Sequence, residues 1–186
     1  SSDVCSSDLY GRHVLRADPS DRFIGSAPLA FTFGLGGHLL FPLRLGASSI
    51  LIPKATPDEF LAAVEKFRAT ITFTAPTAYR AMLSKLTPPK ITSLRKCVSA
   101  AEALPKSTFE AWQKATNIRI LDGIGSTEML HIFIGSPESE VRPGSTGRAV
   151  AGYEARIVDD KGNEVPHGTV GRLAVRGPTG CRYLAD

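Results

Sequence analysis

From residue 56 to residue 123 the chain alternates between helical and extended patterns at short, regular intervals. "TPDEFLAAVEKFRA" reads as a helix, with Thr56 as N-cap, Pro57 at the first helical position and acids in the first turn. "TITFTA" is rich in β-branched residues and reads as a strand, and "PTAYRAMLSKL" is a helix opened by Pro76. The pattern repeats in "LRKCVSA", "LPKSTFEAWQKAT" and "IRILDG" as strand, helix and strand. Such alternation predicts an α/β fold, a mainly parallel sheet with flanking helices. Ligands in sheets of that kind collect at the carboxyl ends of the strands.

The flanks are less regular. A short helical piece is expected around residues 10 to 16. "LAFTF" reads as a strand that runs into Gly34. Leu35, Leu39, Leu40 and Leu43 then recur at the spacing of a buried helix ending near Gly46, with a strand at 49–52 to follow. Downstream of residue 146 no helix pattern remains, and "GYEARIVDDKGNEVPHGTVGRLAVRGP" carries short strands around the turn signal "DDKGNE". The organisation read from this is an α/β part over residues 10–145 and the start of a small β subdomain over 146–186, joined by a loop at 137–146. The opening "SSDVCSSDL" is Ser- and Asp-heavy and nearly repeats itself, so residues 1–9 are set apart as a foreign leader.

Composition narrows the function class. The 42% hydrophobic content supports a real core, and a net charge of +4 spread without basic runs argues against a nucleic-acid partner. No apolar run nears the roughly 18 residues of a membrane span. The cysteines Cys5, Cys97 and Cys181 lie far apart, with neither metal-ligand nor disulfide spacing, so a reducing cytoplasm is the expected setting.

Chemistry is expected where strands end in small residues. Strand "KCVSA" runs into Ala100, Ala101 and Glu102. Strand "IRILDG" runs through Asp122 and Gly123 into Ile124, Gly125, Ser126, Thr127 and Glu128 before the chain turns apolar again. Small residues let a ligand approach the backbone, and a hydroxyl beside a carboxylate suits phosphate with Mg²⁺. Taken singly, each of these loops is more readily read as a glycine turn between strand and helix. Phe31, Phe33 and His131 are equally readable as core.

Read in order, three motifs resemble the adenylate-forming superfamily, which includes acyl-CoA synthetases, peptide-synthetase adenylation domains and luciferases. "DGIGSTEMLHIF" resembles its Thr-Glu motif, "VSAAEALP" its "SAGEALP" segment, and "PGSTGRAVAGYEARIVDDKGNEVPHGTVGRLAVRGP" its downstream segment. Within the superfamily "LAFTFGLGGHLLFPLRLGAS", "FTAPTAYRAML" and "STEMLHIF" resemble benzoate-CoA and 2-aminobenzoate-CoA ligases. Ile124 stands where many relatives have Tyr, Ala101 where Gly is usual, and Arg172 where Glu is usual.

The resemblance implies a reaction and a set of roles. A carboxylate attacks ATP to give acyl-AMP and pyrophosphate, and the CoA thiol then displaces AMP. Thr127 would bond the adenylate phosphate and Glu128 would hold Mg²⁺. Ala100, Ala101, Glu102, Asp122, Gly123, Ile124, Gly125 and Ser126 would line the nucleotide, with Thr127 at its phosphate. Phe31, Thr32, Phe33, Gly34, His131 and Ile132 would line an aromatic-acid pocket, with His131 meeting the carboxylate. The family's phosphate loop is expected before residue 20, and its ribose-binding Asp and lid lysine after residue 186. The chain alone is therefore expected to be an inactive fragment. Two other readings stay open: an aryl-acid adenylation domain that loads a carrier protein, and a non-catalytic nucleotide-binding domain of the same fold.

Overall fold

The computed structural model of the protein describes residues 9–86, 91–181 and 183–184. Most of the foreign leader expected at residues 1–9, Cys5 included, lies outside them. A seven-stranded sheet runs in the order β2 (Ser48–Ile50), β1 (Arg22–Gly25), β3 (Ile71–Thr74), β4 (Lys96–Ser99), β5 (Ile120–Gly125), β6 (Ile132–Gly135) and β7 (Arg148–Ala149). The first five pair in parallel, and β6 and β7 close one edge antiparallel. β3 and β4 are buried along their whole length, as expected of strands covered on both faces.

The helices follow the sequence signals. α1 (Tyr10–Leu15) is a wide-wound turn that buries Tyr10, Val14 and Leu15. α4 (Pro57–Phe67) begins at Thr56, whose hydroxyl oxygen accepts the Glu59 N–H at 3.4 Å and whose proton goes to the Glu59 carboxylate at 2.6 Å. α5 (Pro76–Leu83) and α6 (Lys106–Thr116) meet through Tyr79 and Trp112, edge to face at 4.8 Å. At the amino ends of β1, β3 and β4, the buried Asp21 carboxylate accepts from Arg95 Nε at 2.7 Å and from Thr70 Oγ1 at 2.6 Å. That pin fixes the strands at the end away from the loops after β1, β4 and β5.

Two expectations fail in the glycine-rich stretch. "LAFTF" is not a strand: residues 29 and 30 make a turn, and α2 (Thr32–Leu35) starts immediately after Phe31. The helix continues through a π-wound segment, Gly36–Leu40, into α3 (Phe41–Leu45), and ends on Gly46 at φ 70°. Its buried face is not the leucine stripe, because Leu39 is 41% and Leu43 70% exposed. Gly36, Gly37, His38 and Phe41 face the sheet instead. A Cβ on Gly36 would fall 2.1 Å from the His131 ring, and one on Gly37 2.7 Å from Phe73. The backbone lies against the sheet too closely for leucine on that side.

Beyond residue 146 the chain divides. β7 hydrogen-bonds to β6 and extends the large sheet. β8 (Glu154–Val158) and β9 (Arg172–Arg176) pair antiparallel in a separate sheet. The stretch between them forms a single bridge, Val158 to Glu164.

Candidate functional site

The two apolar runs around "DGIGSTEML" are β5 and β6, antiparallel neighbours, and the polar insert is the loop that joins them. The register shifts between Ile124 and Gly125. At Gly125 the returning backbone comes so close that a Cβ would lie 2.7 Å from the His131 carbonyl oxygen. Ser126 Oγ accepts the Met129 N–H at 3.3 Å, the Thr127 carbonyl accepts the Leu130 N–H at 3.1 Å, and Leu130 turns the chain at φ 70°. Thr127 and Glu128 are thereby presented to solvent at the rim.

Beneath that rim, at the carboxyl ends of β1, β4 and β5, lies a cleft of about 390 Å³. Phe31, Thr32 and Phe33 form one wall, Ala100 and Ala101 another, and Gly125, Ser126, Thr127, His131 and Ile132 the third. These residues are far apart in sequence, and the fold gathers them. Ala27 and Pro28 also line the cleft, and the sequence reading missed them. They directly follow β1 at its carboxyl end, where the sequence reading had placed no strand.

The remaining candidates sit elsewhere. Gly34 is packed under the preceding turn, where a Cβ would be 2.2 Å from the Pro28 carbonyl oxygen. Glu102 is exposed and accepts from Thr77 Oγ1 at 3.4 Å. Gly123 is buried against Ile132, and Ile124 is partly open to solvent. Asp122 opens on a smaller cavity of about 90 Å³, shared with Ala103, Leu104 and Thr146. The 100–104 loop separates the two cavities.

Electrostatics distinguish the three titratable groups. Burial pushes the Asp122 carboxyl up to about 6, against the pull of the Ser99 and Thr146 hydroxyls and the Gly123 backbone. Glu128 is held below the usual carboxylate range by the Tyr183 hydroxyl, then by its own backbone and Ser126. It therefore stands ionised at the rim. His131 is 2% exposed and sits 4.5 Å from Phe41 and 5.7 Å from Phe33, ring centre to ring centre. Burial pushes its imidazole down to about 4, so the ring is neutral at physiological pH. Nε2 donates to the Phe33 carbonyl at 3.3 Å, and Nδ1 has no hydrogen-bond partner. Meeting a substrate carboxylate would require Nε2–H to exchange the Phe33 carbonyl for it.

Among the described residues no three His, Cys, Asp or Glu cluster as a metal cage. One ionised, exposed carboxylate beside two hydroxyls fits a cation that also leans on phosphate oxygens and water, the habit of Mg²⁺.

Comparison with known proteins shows which family the chain resembles. The chain is 38% identical over 180 residues to the benzoate–CoA ligase of Thauera aromatica, covering 95% of this chain and 34% of that relative. It superposes on a crystal structure of a benzoate CoA ligase from Burkholderia xenovorans LB400 with a TM-score of 0.91 and 38% identity, over 97% of this chain and 38% of that one. Against the anthranilate CoA ligase AuaEII in complex with anthranoyl-AMP the TM-score is 0.89 at 44% identity, over 94% of this chain and 35% of that one. The chain thus spans about a third of the length of these relatives. Residues 2–183 match the family described as AMP-binding enzyme, and the chain belongs to that family.

Proposed function

We propose that this chain is the part of an AMP-forming aryl-CoA ligase that holds the adenine, the reacting phosphate and the aromatic acid. The observation that carries the reading is the cleft itself. A largely apolar cleft walled by Phe31, Phe33 and Ile132 opens directly beside the hydroxyl of Thr127 and the ionised carboxylate of Glu128. An aromatic ring against those walls would keep its carboxylate inside the cleft, between His131 and the Thr127 hydroxyl, where ATP would be attacked.

Each residue then has a physical task. Thr127 offers its hydroxyl proton to the α-phosphate as charge moves through the transition state, while Ser126 pairs with Glu128 and Met129 and shapes the loop beside the nucleotide. Ala100 and Ala101, which line the cleft, bound the adenine, while Glu102, Asp122, Gly123 and Ile124 lie outside the cleft and would act by shaping the two strand ends that carry it. Gly34 lets α2 close over the slot. His131 forms the neutral floor and orients the carboxylate if its Nε2 proton turns inward. Glu128 would hold Mg²⁺, whose charge neutralises phosphate oxygens when it is bound. CoA thiol displaces AMP in the second step. A cytoplasmic setting suits Cys97 and Cys181, which are both free thiols.

Bulky Phe31 and Phe33 close the slot against a long alkyl chain. Thr32 offers one hydroxyl to an ortho substituent, whereas apolar walls separate close homologues only by roughly 10–200-fold. Benzoate and 2-aminobenzoate are therefore both expected as substrates of the full-length enzyme, with a sharp drop for octanoate. Comparing kcat/KM for the three acids tests this, and octanoate equal to either aromatic acid would overturn the pocket assignment.

A further inference from the structure

The stretch after β9 returns from the small hairpin to the loop between β5 and β6. Gly177 makes the return possible, since a Cβ there would lie 2.1 Å from the Tyr153 ring. Thr179 Oγ1 then donates to the Met129 carbonyl at 2.9 Å and lies 2.7 Å from the Tyr153 hydroxyl. A threonine hydroxyl has one proton. Because that proton goes to Met129, Tyr153 must be the donor to Thr179. The result is a chain of two hydrogen bonds from hairpin to loop, each polarising the next. A few residues on, the Tyr183 hydroxyl donates to Glu128 Oε1.

These contacts fall on adjacent residues of one loop, the backbone of Met129 and the side chain of Glu128. Neither Thr179 nor Tyr183 lines the cleft, so neither has a task in the function proposed above. We propose that Thr179 and Tyr183 are positioning residues, which clamp the Thr127–Glu128 loop from the hairpin side and aim the Glu128 carboxylate before any cation or nucleotide arrives. The proposal rests on the reading of Glu128 as the carboxylate that faces Mg²⁺ and phosphate. Its consequence is that the stretch after β9, none of which lines the acid pocket, sets the response to cation and leaves the response to aromatic acid alone.

The effects are separable. Tyr183→Phe removes one exposed hydroxyl and leaves the ring, so folding is preserved. Thr179→Val removes at constant shape the bond to the loop, together with the acceptor of Tyr153, and Thr179→Ser restores both. The loss of one hydrogen bond corresponds to roughly a fivefold change in a local equilibrium.

Two measurements on the full-length protein decide the matter. In metal-free protein, hydrogen exchange at the Met129 and Leu130 amides should quicken about fivefold in Thr179→Val and return to the original rate in Thr179→Ser. β5 amides should be unchanged throughout. In ATP–pyrophosphate exchange, Tyr183→Phe should raise the Mg²⁺ midpoint roughly fivefold while KM for benzoate stays fixed. Unaltered loop exchange in Thr179→Val together with an unaltered Mg²⁺ midpoint in Tyr183→Phe would overturn the clamp. If the unsubstituted protein shows no Mg²⁺-dependent exchange at all, the functional reading falls instead, and the amide rates alone uphold or overturn the clamp.

Discussion

Asp122 and His131 lie at the two ends of the same hairpin and are displaced in opposite senses by the same cause. Burial pushes the carboxyl up to about 6 and the imidazole down to about 4, from ordinary values of 3.8 and 6.5. A carboxyl raised on folding contributes stability that is present below pH 3.8 and lost as pH rises through about 6. An imidazole lowered on folding does the reverse, losing stability as pH falls from 6.5 towards about 4. Each effect is about 3 kcal/mol in full, and the two nearly cancel across the window. His38 is also buried and displaced downwards, which adds to the histidine side. Asp122→Asn should unmask the imbalance: a gain of up to about 3 kcal/mol at pH 7.5 that vanishes near pH 4. Urea denaturation of both proteins at the two pH values measures it. A gain of equal size at both would show that Asp122 folds in ionised form.

At the scale of elements, the regular middle of the chain was legible and the glycine-rich stretch was not. α4, α5, α6 and the strands between them form where caps, prolines and β-branched runs placed them. The loop carrying Thr127 and Glu128 was legible because two hydroxyls and an acid in a row interrupt the apolar pattern, although Gly123 and Gly125 before them belong to β5 itself. Asp122's separate cavity and the contribution of Ala27 and Pro28 were not legible, because both depend on which loops face each other. The helix through Gly36 misled for a definite reason. Hydrophobic periodicity assumes that the largest apolar residues find the core, whereas here close approach of the backbone does. His131 occupies the space that a side chain on Gly36 would need. Gly36→Ala should therefore cost about 2 kcal/mol through overpacking and displace the His131 ring. Leu39→Ala, on the exposed side, should cost less than about 1 kcal/mol. Thermal unfolding and the His131 imidazole NMR signals are the readouts. A larger cost for Leu39→Ala than for Gly36→Ala would return the leucine stripe to the core.

For the whole molecule, the question is how much of the chemistry this span of chain can perform alone. Its cleft supplies apolar walls, the Ser126 and Thr127 hydroxyls and, at the rim, one carboxylate, and none of the residues lining it is Lys or Arg. Phosphoryl transfer is dominated by neutralisation of charge on the phosphate oxygens, and a single lost donor to a developing oxyanion typically costs roughly 10² to 10³ in rate. A polyphosphate laid along the 125–128 rim would meet the negative Glu128 with no cationic side chain of the cleft to offset it. The isolated chain is therefore expected to release no pyrophosphate from ATP and benzoate above a no-protein control, even with saturating Mg²⁺. The apolar slot needs no cation, so benzoate should still perturb the His131 and Phe33 NMR signals at millimolar concentration. Pyrophosphate release by the isolated chain, abolished by Glu128→Ala, would mean that hydroxyls and one carboxylate suffice, and would overturn the charge argument.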